Sequence, residues 1–287
     1  LYDSHEDFVG GAGIVAKHLS SAGADVTFTT VLGEDKFKKF VLEDMKKFKI
    51  KINALIDDTR PTTNKNSIIA SNYRLLKLDT LDNRAISSHF ENKISNFIKN
   101  NKSEAIIFSD FRHGIFNKNN IKNYIKSIPS KTFKVADSQV ASRWGNIIEF
   151  KNFDLITPNE RETRFAMADQ DSTVSALAHN LTKVANCSNL ILKLSEKGVF
   201  CMKNINNKKD FFTLDSFTND VVDPVGAGDA LLAYSTLSFL VSKSIVISSI
   251  IGSIAAGCEC EIDGNVPIEI NLIKSKIDIL EKKINFV

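Results

Sequence analysis

The feature that most constrains this 287-residue chain is a rhythm: short β-type runs alternate with longer runs whose apolar residues recur at helical spacing. Val26 to Leu32 is β-branched and apolar, and Phe37, Phe40, Val41, Met45 and Phe48 then keep a helical period. Ala105 to Phe108 reads as a buried strand, followed by a helix marked by Ile121, Ile125 and Ile128. Phe133 to Ala136, Asp154 to Thr157 and Leu190 to Leu194 are further strand candidates. Between the last two, Val174, Leu177, Ala178, Leu181, Val184 and Ala185 line one helix face, with Asp171 or Ser172 as its expected N-cap. The last third is helical over 227–242, 245–260 and 268–284. Strands that alternate with helices predict an α/β fold whose mostly parallel sheet is covered on both faces. Residues 50–79 break the rhythm. Ile50, Ile52, Ala54 and Ile56, then Ser67 to Ala70 and Tyr73 to Leu78, alternate with a period of two and no helix intervenes. We read this stretch as a small antiparallel flap outside the main sheet, within a single domain spanning 1–287.

Composition narrows the function. There are 37 basic and 34 acidic side chains, a net charge of +3, which gives no footprint for nucleic acid or an anionic membrane. The lysine runs at Lys36 to Lys39 and Lys46 to Lys51 alternate with apolar residues, as solvated helix faces do. Cys187, Cys201, Cys258 and Cys260 form no C-x-x-C pair and no disulfide framework, so neither a zinc site nor an oxidising compartment is expected. Apolar stretches such as Ala230 to Val241 are too short to span a bilayer, and a cytoplasmic location is the expectation. The chain begins at Leu1 and reaches a glycine motif within ten residues, so it reads as either a trimmed chain or a piece of a longer protein.

The strongest chemical signal is Asp223-Pro224-Val225-Gly226-Ala227-Gly228-Asp229, which opens directly into an apolar helix. Gly226 and Gly228 let the backbone turn tightly and approach a ligand. The first N–H groups of a helix are unpaired, and the helix end carries roughly half a positive charge, so it holds anions. Asp229 adds a carboxylate in the first turn, beside that anion site. A base next to a phosphate cradle is what phosphoryl transfer to an alcohol requires.

This heptapeptide resembles the C-terminal signature of the ribokinase-like, or PfkB, carbohydrate kinases. The resemblance implies a three-layer sandwich with a small β flap acting as a lid, and use of ATP and Mg²⁺. It implies Asp229 as catalytic base and the amides of Gly226, Ala227 and Gly228 as an anion hole. Gly10-Gly11-Ala12-Gly13, followed by Leu19 and Gly23, resembles the family's N-terminal signature, where Gly10 and Gly11 approach the sugar; Ile14 stands where the family usually has Asn. Thr157-Pro158-Asn159-Glu160-Arg161-Glu162 matches the family's N-x-x-E pattern, which implies that Asn159 and Glu162 organise Mg²⁺; taken alone, the same residues read as a helix cap. Lys193, Ser195 and Gly198, with Asp223 and Gly257, resemble the family's nucleotide-site residues, although a hairpin turn and a packed helix could carry them too.

Arg60 to Lys65, Asn72 to Asp79 and Ser109 to Gly114 resemble the heptose-phosphate kinases, whose flap meets the substrate phosphate. That likeness implies substrate contacts from Lys65, Asp79 and Asp110. Ser67 and Lys77 stand where that branch has Arg, and Asp137-Ser138-Gln139 departs from its Asp-Pro-Lys. Lys for Arg keeps the charge but loses the bidentate fork. Lys65, Arg74 and Lys77 read equally well as the polar outer face of a flap. Family members usually begin with a strand absent before Gly10, some heptose-pathway kinases are fused to a nucleotidyltransferase, and flaps often pair in homodimers. Three alternatives to a sugar or sugar-phosphate kinase stay open: a non-catalytic sugar- or nucleotide-binding relative, a vitamin or nucleoside kinase, and an NAD-dependent oxidoreductase resting on Gly11, Gly13 and Ala16.

Overall fold

The computed structural model describes residues 4–70, 73–140, 143–205, 208–218 and 220–284. In chain order the elements are α1 (Ala12–Ser21), β1 (Thr27–Leu32), α2 (Lys36–Lys47), β2 (Lys51–Ile56), β3 (Asn64–Ala70), β4 (Tyr73–Thr80), α3 (Ser88–Asn100) and β5 (Ala105–Asp110). Then come α4 (Asn120–Ser127), β6 (Phe133–Ser138), β7 (Leu155–Ile156), α5 (Glu160–Met167), α6 (Val174–Ala185), β8 (Asn189–Lys193), β9 (Val199–Ile205) and β10 (Lys208–Leu214). Three helices close the chain: α7 (Ala227–Ser242), α8 (Ile245–Cys260) and α9 (Ile270–Ile284).

The central sheet runs β10-β9-β8-β7-β6-β5. Its four strands β5 to β8 are parallel, and β9 and β10 add an antiparallel edge. Period-two alternation along the strands sends neighbours to opposite faces. Ala136, Ile156, Leu190 and Leu192 face a core shared with α3, α4 and α6, where the rings of Phe108, Phe150 and Phe153 meet at tilted and edge-on angles among Ile94, Tyr124 and Leu181. Val135, Leu155 and Ile191 face the other way, against Leu231, Leu232 and Ala233 of α7 and Val15 of α1. Helices α8 and α9 pack outside α7 through Ile254, Cys258, Ile268 and Ile273. The result is the expected α/β three-layer sandwich. Both faces of the parallel strands are apolar because both are covered.

Two local readings need correction. Residues 51–56 do not belong to the antiparallel flap. They form β2, which pairs in parallel with β1 from Thr27↔Lys51 to Leu32↔Ile56. Alternation reports a two-sided strand and is silent on the direction of its partner. The flap is the hairpin β3–β4, antiparallel with Lys65 opposite Asp79 and Ser67 opposite Lys77. Helix α6 is capped by Thr173, whose hydroxyl accepts from Ala176 N–H, and not by Asp171 or Ser172. The amide of Ser172 is already committed to Asp169 in the preceding turn. The flap's root is tied to the sandwich by a few bonds. Asp35 caps α2 at Phe37 and Lys38 and accepts from Thr62 N–H at 2.7 Å, while Arg60 Nε donates to Asp57 at 2.7 Å. Among the described residues no helix is long and apolar enough to cross a membrane.

Candidate active site

The parallel strands end on a common edge, and each places a polar side chain there: Asp110 from β5, Asp137 from β6, Lys193 from β8, with Asn159 just beyond β7. A crevice outside the carboxyl ends of parallel strands is where α/β folds bind ligands. Here it is a cleft of about 1290 Å³, roofed by the flap and floored by the start of α7.

The floor is built by Gly226. It is the N-cap of α7 with φ +94° and ψ −21°, a left-handed conformation that glycine adopts without strain. A Cβ there would stand 2.5 Å from Glu259 Oε1, so no larger residue fits. Its carbonyl accepts from Asp229 and Ala230 N–H, which starts the helix. The amides of Gly226, Ala227 and Gly228 donate to no protein acceptor among the described residues, and all three residues line the cleft. Asp229 is buried in the first turn. Burial and the neighbouring charge of Asp137 push its carboxyl up to about 7, against the opposing pull of Lys193.

Around Asp229 stand Asp137, Glu162 and Lys193. Lys193 Nζ donates to Asp137 Oδ2 at 3.1 Å, and the other oxygen, Asp137 Oδ1, is buried with no hydrogen-bond partner. Burial, then Asp137, raises Glu162 to about 7, while Lys193 pulls it down. Asn159 and Glu162 form a capping box at the start of α5: Asn159 Oδ1 accepts from Glu162 N–H and Glu162 Oε2 accepts from Asn159 N–H, each at 2.7 Å. The cap reading of this pair is therefore correct as structure. It does not exhaust the pair, because both residues line the cleft. The orphaned Asp137 Oδ1 beside Glu162 makes a hard, all-oxygen donor set, which fits Mg²⁺. No group of three or more His, Cys, Asp or Glu among the described residues forms a metal cage by itself.

The other expected residues divide. Gly10 and Gly11 line the cleft, with Gly11 at φ +59° and the Phe111 ring 3.7 Å from where its Cβ would be. Ile14 is fully buried and faces the core. Lys65 faces the cleft from the flap; loss of surrounding water, then the like charge of Lys77, lowers its ammonium from the usual lysine value. Asp79 does not line the cleft and reaches it only as the cross-strand partner of Lys65. Asp110 lines it, but its carboxylate is occupied by Ser138 Oγ, Asn146 Nδ2 and the Arg112 amide, so it is an organiser of the wall. Ser195 and Gly198 form the β8–β9 connection, Ser195 at φ +56° and Gly198 at φ +82°. Gly257 lets α8 come close to Phe217. Asp223 is absent from the lining; its Oδ1 accepts from Val225 N–H and shapes the loop. The side chain of Arg74 lies outside the described residues.

Four residues of the site were not singled out as such from the sequence. Asp137 carried a signal, a carboxylate at a strand's end. His113 faces the cleft with Nε2 buried and unpartnered, and burial plus Lys65 lowers it to about 4, so it is neutral. Glu259 is 1% exposed with both oxygens unpartnered, 4.0 Å from His18 Nε2, and its only trace was a charge inside an apolar helix. Asn265 sits between the two glycine motifs: its Nδ2 is 2.9 Å from a Cβ on Gly10, and its Oδ1 3.1 Å from one on Gly226.

Comparison with known proteins agrees with this geometry. Solved structures with the same fold include phosphofructokinase-2 from Escherichia coli, with a TM-score of 0.78 at 13% identity, covering 95% of this chain and 87% of that one. Ribokinase from Giardia lamblia gives a TM-score of 0.75 at 14% identity, covering 94% and 88%. Among curated proteins, the bifunctional protein HldE of Sulfurimonas denitrificans is 27% identical over 273 residues, which is 93% of this chain and 55% of that protein. The HldE of Campylobacter jejuni is 29% identical over 289 residues, 96% and 58%. The chain thus spans a little over half the length of these relatives. No strand immediately precedes Gly11 among the described residues, which removes the structural basis of the dinucleotide-fingerprint reading. The model of the pfkB family of carbohydrate kinases matches residues 3–265, and the chain belongs to that family of sugar kinases.

Proposed function

We propose that this protein transfers the γ-phosphoryl group of ATP to a hydroxyl of a phosphorylated sugar, with a heptose phosphate as the favoured acceptor. The observation that carries the reading is the union, in one cleft, of a buried carboxylate at Asp229 with the amides of Gly226, Ala227 and Gly228, which donate to no protein acceptor among the described residues. Asp229 would accept the proton of the acceptor hydroxyl as that oxygen attacks. A carboxyl raised to about 7 is suited to this, since a general base works best with a pKa near the operating pH. The amides would hold the equatorial oxygens of the migrating group, which carry its charge. Mg²⁺, when bound, would neutralise phosphate oxygens; Asn159, Glu162 and Asp137 would hold it, with phosphate and water completing the shell.

Lys65, Lys77 and neutral His113 give the flap side of the cleft its cationic, hydrogen-bonding character, and this supports an acceptor that already bears a phosphate. Gly10, Gly11 and Asn265 would meet the sugar. Ser195, Gly198 and Gly257 line the opposite end and would border the nucleotide. Exposed Ile69, Leu75 and Leu78 on the hairpin support pairing of flaps in a homodimer. The resemblance to heptose-pathway kinases suggests a partnership with a nucleotidyltransferase, and relatives that are named bifunctional and extend well beyond this chain accord with a second activity.

The test is ATP turnover with Mg²⁺ against a panel of sugars and sugar phosphates that includes heptose 7-phosphate. We expect turnover on a phosphorylated sugar, lost on Asp229→Ala. Consumption of ATP that survives Asp229→Ala would sink the assigned mechanism, and turnover confined to unphosphorylated sugars would sink the acceptor class.

A further inference from the structure

One cation in the cleft is placed differently from the rest. Lys65 and Lys77 ride on the flap, whereas Lys193 ends β8, in the middle of the central sheet. Its backbone is fixed on both sides: its N–H donates to Pro158 O at 2.9 Å, and Lys193 bridges Asn159. Its side chain runs along the floor of the cleft. A Cβ on Gly228 would stand 3.2 Å from Nζ, 3.7 Å from Cδ and 3.8 Å from Cε. The lysine tail thus lies against the anion-hole glycine, and glycine is what leaves room for it. The ammonium is mostly buried among carboxylates: it donates to Asp137 at 3.1 Å, and Glu162 and Asp229 line the same part of the cleft. Three carboxylates with one fixed ammonium leave this end of the cleft short of positive charge just where phosphate oxygens would arrive. One of those carboxylates has an oxygen, Asp137 Oδ1, with no partner.

We propose that Lys193 is a catalytic residue of the phosphoryl transfer, its ammonium meeting the oxygens of the migrating group at Gly228. This rests on the kinase reading above. In the step, the bond from phosphorus to the leaving oxygen of ADP breaks and the bond to the acceptor oxygen forms. The acceptor's proton passes to Asp229, and Lys193 keeps its three protons throughout. Its contribution is electrostatic: a charge held in place by the sheet before the reaction, facing oxygens whose negative charge is shared in the transition state. Amides alone supply partial charges; Lys193 supplies a whole one. Asp137 then has two parts, aiming the ammonium through Oδ2 and offering Oδ1 toward the metal side of the cleft.

The experiment compares Lys193→Met, Lys193→Arg, Asp137→Asn and the Lys193→Met/Asp137→Asn double variant. Calorimetry measures binding of Mg·ADP with and without aluminium fluoride, a phosphoryl mimic, and turnover is measured beside it. In the wild type, fluoride should tighten ADP at least tenfold. Lys193→Met should bind ADP within about threefold of wild type, lose the tightening, and lose roughly 10²–10³ in kcat, the size of effect seen when one transition-state contact is removed. Lys193→Arg should recover part of both. If Lys193 served only to neutralise Asp137, the double variant would match Asp137→Asn alone, which has lost the same metal contact; we expect the double variant to fall below Asp137→Asn by about as much as Lys193→Met falls below wild type. It also keeps the test alive if the single variant, with a buried carboxylate left unpaired, fails to fold. Retention of tightening in Lys193→Met, or a double variant no worse than Asp137→Asn, overturns the proposal. A wild type that binds fluoride-tightened ADP but turns over no sugar would leave Lys193 its role and count against the acceptor. A wild type that binds no ADP would bring down the kinase reading and this inference with it.

Discussion

Asp229 should make the protein less stable in order to make it active, and the cost can be worked out. Its carboxyl titrates at 3.8 when exposed and at about 7 in the fold. A folded value raised above the unfolded one means that the folded state binds the proton more tightly. The stability this group permits is therefore greatest at low pH. It falls as pH rises from 3.8 to about 7 and is flat beyond. The full difference is worth roughly 4 kcal/mol at pH 8, at about 1.4 kcal/mol for each pH unit. At pH 5 only the part between 3.8 and 5 has been lost, roughly 2 kcal/mol. Asp229→Asn keeps the shape and cannot ionise. It should be inactive and yet more stable than wild type, by about 4 kcal/mol at pH 8 and by about half that at pH 5. Urea unfolding of both proteins at the two pH values measures this. An advantage of equal size at both pH values, or a less stable Asn variant at pH 8, would refute the claim that a buried, charge-crowded carboxylate sits at the helix start. The same titration predicts that kcat/KM falls tenfold per pH unit below about 7, since a protonated Asp229 cannot accept a proton.

Other outcomes follow from neighbouring contacts. Gly226→Ala places a methyl 2.5 Å from Glu259 Oε1 at φ +94°. The left-handed penalty of about 1–2 kcal/mol and overpacking of about 1–3 kcal/mol should add, with at least a 10²-fold loss of kcat, read by unfolding and steady-state kinetics. Lys65→Met should raise KM for a phosphorylated acceptor by about 10- to 100-fold and leave KM for ATP within a factor of two, because a single charge-assisted contact is worth about 1.5–3 kcal/mol. Glu259 is raised to about 8, chiefly by burial, then by Asp229 and Asp223. Wild type should therefore lose stability as pH rises through about 8, and Glu259→Gln should flatten that loss in melting curves taken at about pH 6.5 and pH 9.5.

What could be read in advance was whatever is local. The start of α7 was legible because turn chemistry, an unpaired first turn and an apolar continuation all lie within a few residues. The sheet's strands were legible because both their faces are buried, so they read as apolar runs. The direction of β2 was not, since alternation is a property of one strand and pairing is a property of two. The cap of α6 lies one or two residues later than expected, at Thr173, because Asp169 takes Ser172 N–H into a turn of its own. The surroundings of Gly226 were out of reach for another reason. His18, Glu259 and Asn265 come from α1, α8 and the loop after it, and His18 accepts from Ile268 N–H across 250 residues. No short-range pattern marks such a meeting. Asp223 and Asp79, carried by resemblance, turned out to shape a loop and to face a cross-strand partner, while Asp137, two strands away, stands in the cleft.

Among the described residues, the hairpin of β3 and β4 contributes no side chain to any of the four hydrophobic clusters. From Lys65 to Ala70 and from Leu75 to Leu78 its residues are exposed. Substitutions there disturb little that folding depends on, in contrast to Gly226, where a single added carbon would stand 2.5 Å from Glu259 Oε1. The molecule thus separates what it does from what it does it to. A lineage could trade Arg for Lys77 or Ser67, and with it one acceptor for another, without touching the chemistry below. Divergence in this protein's relatives should therefore be fastest on the hairpin and slowest along the carboxyl edge of the sheet.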